Sequence, residues 1–158
     1  MIRNSFNLNS RFILVALLVF VLLPFARSQA QDRVDKVSAK DFDATVKAVE
    51  KILKSKGFMI VATVDHQNML TMVGAKIKGS KTIEFGKPDM GKMLMPMAPE
   101  VGLEMPGRFY VWERGDGKTV VSYYQPSSGY RNYDNEMIEK MGKDMDGMWS
   151  MMVEEAIK

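Results

Sequence analysis

The sequence predicts an α+β fold: a mainly antiparallel sheet with helices packed on one face, in a single small domain. Three observations support this. "RFYVWERGDGKTVVSYYQP" reads as two alternating strands around Gly115-Asp116-Gly117, a hairpin. The segments 42–53 and 137–153 repeat apolar residues at helical spacing. Between them helices and strands alternate irregularly, as they do when helices cover one face of an antiparallel sheet. With 158 residues, no internal repeat and no linker, the chain suits one domain.

Residues 1–30 are expected to fall outside the fold. Arg3 and Arg11 flank a polar start, and Phe12 to Leu23 runs without a charge. Ser28 and Ala30 then supply the small residues of a cleavage site, so the segment reads as a secretory signal peptide cut after Ala30. The apolar run is shorter than the about 20 residues a membrane span needs, although retention as an anchor is the alternative. A periplasmic or secreted protein follows, with the membrane met only through this leader. Residues 31–40 are polar and expected as a flexible lead-in, with room for a short strand around Val34 to Val37. The domain itself is assigned to 41–158.

Its elements follow in order. Phe42, Val46, Val49 and Leu53 predict a helix opened by Asp41 and closed at Gly57. Phe58 to Asp65 is β-branched and apolar on both faces, the pattern of a central strand. Asp65 then caps a shorter helix that Gly74 ends. Lys81 to Gly86 is a further strand, and 88–106 a loop with room for one helical turn. After the hairpin, a polar, tyrosine-containing loop leads to the last helix. There Met137, Met141, Met145, Met148 and Met152 share one face, beside Ile138, Trp149 and Val153.

Charge and composition exclude several functions. The chain has 22 Lys+Arg against 19 Asp+Glu, but Arg3, Arg11 and Arg27 lie in the leader, leaving 19 of each. A neutral domain has no electrostatic basis for nucleic-acid binding. Zero cysteines remove disulfides and thiolate chemistry. Neither a G-x-S-x-G elbow nor a glycine-rich phosphate loop occurs, and one histidine without cysteine leaves a zinc site short of ligands.

Three ordered groups of residues carry a family resemblance. The first is Gly57-Phe58, Asp65-His66 and Gly74; the second is "FGKP" (Phe85 to Pro88), Leu94-Met95, Pro99 and "GLEMP" (Gly102 to Pro106). The third is "VWE" with "DGK" (Val111 to Lys118) and "VSYYQP" (Val121 to Pro126). In this order they resemble the domain-of-unknown-function 302 family over roughly Asp41 to Pro126, and more loosely through the last helix. The resemblance implies a small α+β domain that tends to pair into dimers, and it implies no activity. Lys87 departs from the family's usual "FGNP", and Met105 stands where leucine is commoner.

Two constellations invite chemistry. His66, the only histidine, follows Asp65 at a strand-to-helix turn, so the pair is the candidate for acid–base catalysis; a helix-start residue bonding locally is the plainer role. Met93, Met95 and Met97 alternate, and an extended backbone would project all three thioethers to one side. Thioethers select Cu(I), with Met90 and His66 available to complete a site. Methionine also fills irregular cores. On that view Met95 is core and Met93 and Met97 are partly exposed.

The first expectation is therefore a non-enzymatic domain without a cofactor that binds a small molecule or a copy of itself. Its groove would lie between the sheet edge and the 88–106 loop, lined by His66, Phe85, Gly86, Pro88, Met95 and Met97. A periplasmic Cu(I)-binding or copper-tolerance protein using Met93, Met95 and Met97 is the second, and an enzyme built on Asp65 and His66 the third. A homodimer is expected because both hairpin faces are rich in large residues: Phe109, Val111, Val121 and Tyr123 on one, Tyr110, Trp112, Val120 and Tyr124 on the other.

Overall fold

The computed structural model describes residues 31–158, so the signal peptide expected over 1–30 lies outside the described residues. Five strands form one antiparallel sheet in the order β1-β5-β4-β3-β2. They are β1 (Arg33–Val37), β2 (Met59–Asp65), β3 (Ser80–Gly86), β4 (Gly107–Glu113) and β5 (Thr119–Tyr124). Strands β2 to β5 follow one another across the sheet, and β1 returns to pair with β5. Helices α1 (Phe42–Ser55) and α5 (Glu136–Ile157) cover one face. Short helices α2 (His66–Thr71), α3 (Pro88–Leu94) and α4 (Pro126–Tyr130), with a 3-10 turn at Pro99–Glu104, make the connections. The fold is α+β, a single small domain.

Each long element has a local cause. Asp41 accepts the Ala44 N–H at 2.8 Å and opens α1, whose Val46, Val49 and Leu53 are buried. Asn135 accepts from Met137 and Ile138 and opens α5. Ile138, Met145, Trp149, Met152 and Val153 of α5 face the core, with Met141 and Met148 at its margin; Met137 points outward. Gly117, at φ 84°, supplies the left-handed residue of the β4–β5 turn. In the same turn the Arg114 guanidinium holds the Asp116 carboxyl down to about 2. Inward Phe109, Val111, Val121 and Tyr123 meet Ile83 and Phe85 under the helices. Phe85, Phe109, Tyr123 and Trp149 form one aromatic cluster, with centroids 4.6 to 6.0 Å apart.

The short strand allowed for around Val34 to Val37 is present as β1, held by pairing with β5 and by Ser38 and Ala39 at the next backbone bonds. Three expectations need correction. The apolar strand at 58–65 is an edge among the described residues, none of which pairs beyond β2. Its double-sided apolarity has another cause: Ile60 leans on the core, while Met59 and Val61 stay 60% and 63% exposed beside a groove. The 88–106 segment is mostly helical, with Pro88 pre-set at the first position of α3 and Pro99 opening the 3-10 turn. The tyrosine loop contains α4, which buries Tyr130 against α5.

Candidate functional site

Where the β2–β3 edge, the 88–106 segment and α5 meet, they enclose a groove of about 470 Å³. Phe58, Phe85 and Trp149 form its floor, and Met59, Met90, Met95, Met105 and Met145 its walls. Two close approaches shape it. A methyl group added at Gly107 would stand 2.7 Å from Trp149 Cζ2, so only glycine admits the indole there. The Met95 sulfur lies over Gly91, 4.0 Å from where a Cβ would be. Leu94, fully buried, anchors α3 to the core and so fixes the methionine wall.

Of the six residues expected to line a groove here, Phe85, Gly86, Pro88 and Met95 do. His66 does not. Its Nε2 is 2.8 Å from the Thr82 hydroxyl, and its ring stands edge-on to Tyr110 at 5.9 Å, on the opposite sheet face. Met97 is turned from the groove and packs against the core. Of the expected burial only Met95 departs, standing 47% exposed in the groove wall; Met93, at 46%, and Met97, partly exposed, stand as expected.

The backbone explains the departure. Met93 lies in the last turn of α3, which ends at Leu94, and Met95 follows in helical conformation (φ −63°, ψ −31°) despite Pro96. At 3.6 residues per turn, side chains two apart diverge by roughly 200°. The three thioethers therefore do not converge, and the extended geometry on which a Cu(I) site depended is absent from 93–97. Among the described residues no group of three or more His, Cys, Asp or Glu is placed to hold a metal ion.

Asp65 and His66 are not arranged as a catalytic pair. The Asp65 carboxylate caps α2, accepting the Asn68 N–H at 2.9 Å, and its other oxygen lies 3.4 Å from Lys81 Nζ. That backbone bond, with the Lys81 charge behind it, holds the Asp65 carboxyl below its ordinary range. An aspartate so engaged does not orient the imidazole.

The residues missed in the sequence include those of the far wall, Met105, Tyr130, Met145, Trp149 and Glu104, and, on the near side, Phe58, Met59, Met90 and Lys87. Burial pushes the Tyr130 phenol up to about 12, with the Glu104 carboxylate adding to the shift. The buried Trp149 N–H has no hydrogen-bond partner among the described residues, and its indole also borders a cavity of about 50 Å³. Only the helical position of Trp149 beside Met145 hinted at this wall.

The second feature is the sheet face away from α1 and α5. Val37, Val120 and Trp112 lie in one row, Asp35, Ser122, Tyr110 and Thr82 in the next, and Arg33 stands beside Tyr124. Hydrogen bonds run along it from Trp112 Nε1 to Ser122 Oγ (2.8 Å) and from Ser122 to Asp35 (2.6 Å). Tyr110 and Trp112 stack at 6.3 Å. Tyr124 is 50% and Tyr110 36% exposed.

Comparison with known proteins gives three findings. A family model described as "Domain of unknown function DUF302" matches residues 34–156. The crystal structure of an uncharacterized conserved protein DUF302 from Bacillus stearothermophilus has the same fold. It matches with a TM-score of 0.74 at 15% identity, over 80% of this chain and 99% of that one. Fluoride-specific ion channel FluC 1 of Brucella suis biovar 1 (strain 1330) and FluC 1 of Brucella abortus biovar 1 (strain 9-941) are each 31% identical over 83 residues. These cover 52% of this chain but only 33% and 31% of the channels, so the chain spans about a third of the curated relatives it matches.

Proposed function

Because this chain belongs to the DUF302 family, a domain of unknown function, we propose a role from its own surface: non-enzymatic binding of a small apolar ligand in the groove. One observation carries the proposal, a preformed cavity of about 470 Å³ walled by methionine and aromatic side chains. Cavities of this size suit small molecules, and methionine walls adapt to ligand shape. The disposition of Asp65 and His66 supports binding over catalysis. Native mass spectrometry of the protein taken from the cells that make it tests this. A bound small molecule that leaves when Met95 and Met105 are both changed to lysine is the expected result. A chain that carries no ligand and gains no affinity for apolar dyes would overturn the reading.

The leader adds a location to the proposal: a periplasmic or secreted protein starting at Gln31. N-terminal sequencing of the mature form checks it, and an intact Met1 in the membrane fraction would count against it.

A second reading, self-association, has its own observation in the open sheet face. Tyrosine, tryptophan and arginine, the residues enriched at association hot spots, concentrate there. Arg33 and Arg108 share that face with Asp35 and Glu84, so two copies related by a twofold axis can set opposite charges against each other. The two readings are compatible, since none of Arg33, Arg108, Tyr110 and Tyr124 of the open face lines the groove.

A further inference from the structure

The groove is nearly devoid of charge, so its two charged members weigh heavily. Lys87 sits at the turn from β3 into α3, and Glu104 ends the 3-10 turn on the far wall. Lys87 is the residue before the first turn of α3, where a side-chain acceptor would normally cap the helix. An ammonium has three donors and no acceptor, and no side-chain cap bond is made. Helix capping therefore does not account for a lysine here.

Nor does an ion pair. Lys87 takes part in none of the salt bridges among the described residues. Its stem runs over Gly57, with Cε and Nζ each 3.9 Å from where a Cβ would stand, and the ammonium lies 5.8 Å from the centre of the Phe58 ring. The side chain is thus half-buried against the apolar floor, its charge held at the groove and unmatched by any carboxylate among the described residues. Glu104 differs. The Tyr133 hydroxyl reaches its carboxylate at 3.3 Å, so the far wall is negative and already engaged.

We propose that the groove takes a single-chain amphiphile with an anionic head, such as a medium- or long-chain carboxylate. The head pairs with Lys87 and the apolar chain lies along Met95, Met105 and Trp149. This rests on the groove being a ligand site and adds the class of ligand and its direction. Apolar walls strengthen a charge-assisted bond to Lys87 relative to one in open water. The negative Glu104 disfavours the reverse orientation. Lys87 is then the specificity residue.

The test titrates the full chain with decanoate, decan-1-ol and decyltrimethylammonium, each below its micelle concentration, by calorimetry. Wild type, Lys87→Gln and Lys87→Arg are compared after circular dichroism shows each to be folded. Decanoate is expected to bind about five- to tenfold more tightly than the other two. Lys87→Gln should erase that preference while leaving decan-1-ol unchanged, and Lys87→Arg should keep it. A preference that survives Lys87→Gln, or equal binding of the ammonium and the acid by wild type, overturns the proposal but leaves a ligand groove standing. Binding of none of the three overturns the groove reading itself. A phosphatidylcholine vesicle arm separates sources: co-sedimentation with oleate-doped vesicles without binding of free decanoate would show a membrane surface as the target, and would also overturn it.

Discussion

Ionising a phenol inside an apolar wall requires a charge where little solvates it, and Tyr130 is in that position. Its folded value is about 12 against 10.0 ordinarily, because of burial first and the Glu104 charge second. Linkage fixes the sign. Below pH 10 neither state ionises this group and its contribution to stability is complete; between about 10 and 12 the unfolded chain loses the proton first, and stability falls. Denaturation midpoints should therefore drop on that alkaline limb, and Tyr130→Phe should flatten it. An unchanged slope in the variant would assign the limb elsewhere. Tyr130 was invisible in the sequence, where it sits in a polar stretch; its burial comes from the way α4 folds back against Gly142 of α5, which no apolar spacing in that stretch signals. Asp41 and Asp65 were legible as caps because a cap bond spans three residues. The partner of His66, Thr82, is 16 residues away, and no local rule points to it.

The crossing of α4 and α5 gives the test for whole elements. A methyl group at Gly142 would lie 2.7 Å from Tyr130 Cβ and 3.0 Å from Ser127 Cα, and backbone cannot yield as a side-chain tip can. The same helix has a control in Gly147, where nothing lies within 4 Å. Gly147→Ala should stabilise by about 0.5–1 kcal/mol through helix propensity. Gly142→Ala has the same propensity gain but over-packs the crossing, and should destabilise by about 1–3 kcal/mol net. Thermal melts of the two variants settle it, and equal stabilisation by both would mean the crossing relaxes freely. Both glycines look alike in the sequence, each a weak point in a methionine-rich helix. Long elements with strong periodicity, α1, α5 and the β4–β5 hairpin, were readable for the same reason: their pattern repeats. Helix α3 was not, because two prolines nearby spoke for extended chain while Pro88 itself starts the helix. With α3 misread, the methionine wall was misread too. The apolar double face of β2 was visible, but a central strand and a groove-lining edge share that pattern.

For the molecule as a whole, the question is what covers the second sheet face. Sedimentation of the protein at micromolar concentration should give a homodimer. Tyr124→Glu, at the exposed end of β5 on the open face, should give a folded monomer, and a wild-type monomer would remove the pairing proposal. The fold class was legible because hairpin and helices had to share one core. The partner strand of β1 was not, since Asp35 and Ser122 are 87 residues apart. That separation has a consequence for the order of folding. Strand β1 is among the first described segments to leave the ribosome, yet its one sheet partner among the described residues, β5, is the last of their strands to be made. Loop closure over such a distance is slow relative to hairpin formation. The full β1–β5 pairing can therefore close only once residue 124 has emerged. Until then the chain remains incompletely folded, a condition compatible with threading through a translocation pore.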